Sequence, residues 1–202
     1  MHPSLEDRIA RAAETLRAGG VLAYPTETFY GLGALASDRA AVSRLAAAKL
    51  RPDGKPLPLL AADLSQVAQV VARLEPAAQR LADALWPGPL TLVLPAAAGL
   101  APEITAGTGT VAIRVPGSEV ARRLARLAGG AIVSTSANVS GEPPPVAAYD
   151  LSPVLLGRID GVLDAGPAPG GLASTIVVLE DGAPRVLREG PISLARIAAA
   201  LR

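Results

Sequence analysis

Aromatic side chains are nearly missing from a chain that is half apolar. Hydrophobic residues make up 50% of the 202 positions, yet only Tyr24, Phe29, Tyr30, Trp86 and Tyr149 carry a ring. The core must therefore be assembled from Ala, Leu and Val. A chain of this length can bury a substantial core without staples, which favours one domain spanning 1–202. Staples are also chemically out of reach, because there is no cysteine and the single histidine is His2, beside the initiator methionine. That composition excludes disulfides, Cys/His metal sites, Cys nucleophiles and Ser-His triads, and no metal-ligating residues are expected. Chemistry has to rest on Lys, Arg, hydroxyls, Asn, carboxylates and ions carried by the substrate. A net charge of +1 argues against a globally basic nucleic-acid binder and leaves room for a basic cleft.

The pattern of short apolar runs and helical segments reads as α/β. Ser4 is placed to cap a helix that Gly19-Gly20 ends and Asp38 one that runs to about Ala48, and a further helix is expected from about Ser118 to Leu127. Pro76 fits the first turn of a helix ending near Leu85, and a last helix covers Ile192 to Leu201. Strands are expected at Val21–Tyr24, Leu57–Ala62, Leu90–Leu94, Thr110–Pro116, Ala131–Val133, Gly161–Asp164, Ser174–Leu179 and Arg185–Arg188, the last two joined by the hairpin signal Asp181-Gly182. Thr26 to Gly33 reads as a loop. Gly31-Leu32-Gly33-Ala34-Leu35-Ala36 fits the Gly-x-Gly-x-x-Ala pattern, but its glycines do not follow the strand directly, and the acid about 20 residues on, Asp53, falls in a Pro/Gly turn. A dinucleotide site is rejected, and the glycines are read as permitting close backbone packing. No P-loop pattern occurs. Glu6, Asp7 and Glu14 stand among the first arginines, and no apolar run reaches about 18 residues, so neither signal peptide nor membrane span is expected and the location is read as cytoplasmic.

Three places carry chemistry. Of the 19 basic residues only two are lysines, Lys49 and Lys55, and both flank Arg51 in one Pro/Gly-stiffened window. A compact ammonium differs from a planar guanidinium fork, so a chain that otherwise uses Arg marks this turn as one suited to a polyphosphate. Arg114 lies inside an apolar strand, where a buried cation needs an anion, either a protein carboxylate or a ligand's carboxylate or phosphate. Ser134, Thr135, Ser136 and Ser140 gather around Asn138, the one asparagine, just past a strand. They offer donors and acceptors to a ribose, phosphate or amino acid, although Ser, Asn and Gly also make ordinary turns.

Four motifs resemble one family: Pro25-Thr26-Glu27-Thr28-Phe29-Tyr30-Gly31-Leu32, Lys49-x-Arg51-Pro52-x-x-Lys55-Pro56-Leu57, Trp86-Pro87-Gly88-Pro89-Leu90-Thr91 and Ser136-Ala137-Asn138-x-Ser140-Gly141. In this order and over nearly the whole chain they are similar to the YrdC-type threonylcarbamoyl-AMP synthases. The resemblance implies a twisted mixed sheet with flanking helices around a basic concave cleft. It also implies the formation of threonylcarbamoyl-AMP and pyrophosphate from L-threonine, bicarbonate and ATP, with Mg2+ accompanying the nucleotide. The product would pass to transferase proteins that modify tRNA, and tRNA or double-stranded RNA would be a further partner. By resemblance Lys49 and Arg51 are catalytic, and Lys49, Arg51, Lys55, Thr110, Ser134, Asn138 and Arg188 contact ATP. Thr28, Arg114, Ser136 and Ser174 would hold threonine. Leu60 stands where longer members often carry His, Pro144 departs from a Ser-Pro-Thr ending, and the extra C-terminal domain of longer members is not expected. The alternative is a non-catalytic RNA-binding or ribosome-associated module on the same scaffold, which would be indifferent to Arg114, Ser136 and Ser174.

Overall fold

Helix capping and short strand pairing set the framework. The computed structural model describes residues 3–50 and 54–202. Helix α1 (Leu5–Arg17) starts in a capping box: Ser4 Oγ accepts from Asp7 N–H at 3.1 Å, and the Asp7 carboxylate accepts from Ser4 N–H at 3.1 Å. The Ser4 hydroxyl, which donates to the Asp7 carboxylate at 2.7 Å, and after it the Ser4 N–H hold the Asp7 carboxyl below its ordinary range. The buried face of α1, Ile9, Ala12, Ala13 and Leu16, meets Ala121, Leu124, Ala125 and Ala128 of helix α6 (Glu119–Ala128) in one apolar cluster. Alanines on both faces let the two helices approach closely, which is how a chain poor in rings reaches a dense core.

Strand β1 (Leu22–Pro25) pairs antiparallel with β2 (Tyr30–Gly33), so half of the segment read as a loop is a strand. The glycines that suggested a loop are there for contact. A Cβ on Gly33 would lie 2.7 Å from Tyr24 Cε1, and one on Gly31 would lie 3.3 Å from Tyr24 Cζ, so the bare backbone of β2 lies over the Tyr24 ring. That ring is fully buried, and burial pushes its phenol up to about 12.

The remaining elements follow in order: α2 (Arg39–Ala48, capped by Asp38), β3 (Leu59–Leu60), α3 (Leu64–Val70), α4 (Pro76–Leu85), β4 (Leu90–Pro95), α5 (Pro102–Thr105), β5 (Thr110–Arg114), then α6, β6 (Ile132–Val133) and β7 (Thr135–Ser136). After a 3-10 turn at Ala148–Asp150 come α7 (Pro153–Leu156), β8 (Gly161–Val162), β9 (Thr175–Glu180), β10 (Ala183–Arg188) and α8 (Leu194–Ala200). The expected single sheet is instead two mixed sheets, ordered β7-β2-β1-β8 and β10-β9-β4-β5-β3-β6. The division falls at Ser134. Its N–H donates 2.8 Å to Pro58 O, β6 before it pairs with β3, and β7 after it pairs with β2. One extended segment thus crosses from one sheet to the other. β5 is antiparallel to β4 and parallel to β3, while β4 is parallel to β9, which forms the expected hairpin with β10. Asp181 (φ 52°) and Gly182 (φ 81°) take the two left-handed positions of that turn.

Candidate functional site

The crossover at Ser134 leaves a cavity of about 470 Å³ against the junction of the two sheets. Its wall is built from segments far apart in sequence: Thr28 before β2, Arg114 at the end of β5, Ser134 and Ser136 at the crossover, Ser174 before β9 and Arg188 at the end of β10. Six of the residues expected to hold threonine or ATP are therefore brought together. Among the described lining residues the charged side chains are the two arginines.

Thr28 is fixed by a turn that Thr26 ties to itself. Thr26 Oγ donates 2.8 Å to Phe29 O and accepts from the N–H groups of Thr28 and Phe29 at 3.2 and 3.3 Å, and the two threonine hydroxyls lie 3.2 Å apart. The opposite wall is similarly bonded. Arg188 donates from Nε and Nη2 to Ser174 O at 3.0 and 2.8 Å and from Nη2 to Ser174 Oγ at 3.0 Å, and Thr91 Oγ stands 2.8 Å from the same hydroxyl. Burial, and after it the charge of Arg114, lower the pKa of Arg188. The two guanidinium groups thus feel each other across the cavity, an arrangement that favours an anion between them.

Arg114 is 8% exposed, and its protein partner is Glu27, with Nη1 3.2 Å from Oε1. Of the two anions that the sequence left open for this arginine, a protein carboxylate is present, and the guanidinium still lines the cavity. Neither Glu27 oxygen makes a hydrogen bond, although both are buried. Sequence reasoning assigned no role to Glu27 or to Thr91. Both lie within recognised motifs, but only the fold shows the first behind Arg114 and the second bonded to Ser174.

Lys49, Asn138, Thr110 and Lys55 stand outside the cavity lining. Lys49 is 2% exposed at the end of α2, where its ammonium donates to Ser136 O and, at 2.7 Å, to Asn138 O. In return the Ser140 N–H donates 3.1 Å to Lys49 O. A compact ammonium with several donors suits two converging carbonyls, which accounts for Lys at this position in an arginine-rich chain. Asn138 donates from Nδ2 to Val139 O at 2.9 Å and to Glu142 O at 2.6 Å, which folds the turn on itself. Thr110 Oγ lies 2.8 Å from Thr108 Oγ at the far end of β5, and Lys55 is exposed. Arg51 lies outside the described residues. Leu60 is fully buried between Ile132 and Arg114 on the strands flanking β3, and its neighbour Leu59 faces the cavity. Pro144 also lines it. Trp86 packs against the core and donates from Nε1 to Leu90 O at 2.7 Å. Among the described residues no group of three or more His, Cys, Asp or Glu side chains is placed to hold a metal ion, and no helix is long and apolar enough to cross a membrane.

A family model for Sua5, YciO and YrdC proteins, described as telomere recombination, matches residues 14–190. The threonylcarbamoyl-AMP synthase of Bacillus subtilis is 42% identical over 197 residues, which cover 97% of this chain and 57% of that protein. The threonylcarbamoyl-AMP synthase of Stenotrophomonas maltophilia is 42% identical over 179 residues, 88% of this chain and 95% of that one. Among solved structures, P. abyssi Sua5 complexed with L-threonine superposes with a TM-score of 0.91 at 38% identity, covering 99% of this chain and 58% of that one. The chain thus spans a little over half the length of the Bacillus and P. abyssi proteins and nearly all of the shorter one. With both sequence and fold matched across almost all its residues, this chain belongs to the Sua5/YciO/YrdC family.

Proposed function

We propose that the chain forms L-threonylcarbamoyl-AMP and pyrophosphate from L-threonine, bicarbonate and ATP. The observation that carries this reading is the convergence of Arg114 with the Thr28, Ser136 and Ser174 hydroxyls on one cavity, in a fold shared with a protein whose structure contains threonine. A free amino acid presents a carboxylate, an amine and, in threonine, a hydroxyl; a guanidinium among short hydroxyls is complementary to that set. A non-catalytic RNA groove needs no such set.

The reaction needs no protein nucleophile, in keeping with a chain that has no cysteine and no usable histidine. The threonine amine adds to CO2 derived from bicarbonate, one proton leaves, and the resulting carbamate oxygen attacks the α-phosphorus of ATP while the bond to pyrophosphate breaks. The protein contributes position and charge. Arg114 would pair the threonine carboxylate, with Thr28, Ser136 and Ser174 around it. Arg188 would face the nucleotide, together with Ser134. Asn138 and Thr110 would act from the flanks, and Arg51 and Lys55 would meet the polyphosphate, which brings Mg2+ as part of the substrate. Lys49 would act through the turn it holds, by fixing the carbonyls of Ser136 and Asn138. Transferase proteins that pass the product to tRNA would be the downstream partners, in the cytoplasm, and tRNA itself would meet the protein there.

The test is pyrophosphate release from ATP in an omission series. Release is expected only when threonine and bicarbonate are both supplied. Equal release without threonine would overturn the reading.

A further inference from the structure

We propose that Glu27 is a built-in counter-ion that occupies Arg114 until a ligand carboxylate arrives, and so sets how tightly that carboxylate is held. The inference rests on the amino-acid site proposed above and adds to it a positioning residue that does not touch the ligand.

Glu27 belongs to the turn that Thr26 ties together, so Thr28 faces the cavity while Glu27 packs behind it, beside Gly117. A Cβ on Gly117 would lie 3.7 Å from Glu27 Cγ. The carboxylate is thereby set 3.2 Å from Arg114 Nη1, yet neither of its oxygens takes a hydrogen bond. A carboxylate evolved to lock a guanidinium would be expected to use both oxygens in a fork-to-fork pair. This one supplies charge and leaves the guanidinium's bonding directions unclaimed. Arg114 is buried, and its charge is close enough to lower the pKa of the more exposed Arg188, so without Glu27 the buried guanidinium would stand beside a second cation and lose its own carboxylate partner. Once a ligand carboxylate binds, the same Glu27 charge opposes it. The counter-ion therefore stabilises the empty site and weakens the filled one.

The experiment compares wild type, Glu27→Gln and Glu27→Asp by threonine titration in a calorimeter without ATP, with thermal melts at zero and saturating threonine. Gln keeps the volume and removes the charge; Asp keeps the charge and draws it back from Arg114. Glu27→Gln is expected to melt lower than wild type when empty, to bind threonine roughly three- to tenfold more tightly, and to gain more from saturating threonine than wild type does. Glu27→Asp should fall between the two in affinity, and it carries the test if Gln does not fold. A lower melting temperature with wild-type threonine affinity would make Glu27 merely structural and overturn the inference, as would weaker binding in either variant. If wild type binds no threonine, the amino-acid site itself falls and takes this inference with it; if wild type binds and the variants match it, only the counter-ion role falls.

Discussion

Under the proposed function, Arg114 would serve the empty and the filled protein differently. Its guanidinium has a protein carboxylate on one side and the cavity on the other. Arg114→Lys keeps a cation opposite Glu27, so stability should fall by no more than about 1 kcal/mol, while the planar fork offered to a ligand carboxylate is lost. The threonine constant should rise by roughly ten- to a hundredfold, the loss of a charge-assisted contact of about 1.5–3 kcal/mol, with the ATP constant little changed. Arg114→Met should instead leave Glu27 buried without a partner and destabilise the fold by about 3 kcal/mol, read as a lower melting temperature and urea midpoint. Tyr24 carries a separate prediction. Its phenol is raised by burial to about 12 against 10 in an unfolded chain, so the native state keeps that proton longer. The stability this represents is intact below about pH 10 and is lost as pH rises from there to about 12, by roughly 3 kcal/mol in total. Denaturant melts from pH 9 to 12 should show wild type losing more stability over that window than Tyr24→Phe. Parallel loss in both proteins would count against the burial argument.

At the scale of elements, the turn after β7 depends on a buried lysine. Replacing Lys49 with Met leaves the carbonyls of Ser136 and Asn138 without its donors, which should cost about 2 kcal/mol of stability and slow ATP turnover by about ten- to a hundredfold. Arginine should not rescue it, because a planar fork does not fit where the compact ammonium is almost fully buried. Unchanged turnover in Lys49→Met would separate this turn from catalysis. The β1-β2 hairpin depends on a missing side chain. Gly33→Ala would place a Cβ 2.7 Å from the Tyr24 ring and should destabilise by about 1–3 kcal/mol, visible as a lower melting temperature. The caps at Ser4 and Asp38 and the left-handed pair at Asp181 and Gly182 were legible because each depends on local backbone chemistry alone. Strand β2 was not, since its glycines have little strand propensity and are held by pairing with β1 and by the ring beneath them. The two-residue strands β3, β6 and β7 were blurred for a related reason: their ends are set by where the chain crosses between sheets, which no local pattern records.

At the scale of the molecule, the two sheets meet where the segment around Ser134 changes partners, and that seam gathers side chains from along most of the chain into one cavity. The residue types and motifs proposed for an amino-acid and nucleotide site could be read in one dimension. Their division into wall and support could not. Lys49 supports the site from beneath and Thr91 braces Ser174, whereas Thr28, Arg114 and Arg188 face the cavity, a distinction that depends on which way each backbone segment turns. The central claim is that this cavity joins threonine, a one-carbon acid and AMP. It is tested most directly by incubating the protein with threonine, 13C-bicarbonate and MgATP and analysing the products by mass spectrometry. The account predicts an adduct of AMP and threonine that carries one 13C in the carbamoyl link, accompanied by an equal amount of pyrophosphate and abolished by omitting threonine. A folded, nucleotide-binding protein that yields unlabelled AMP or ADP and no labelled adduct would contradict it.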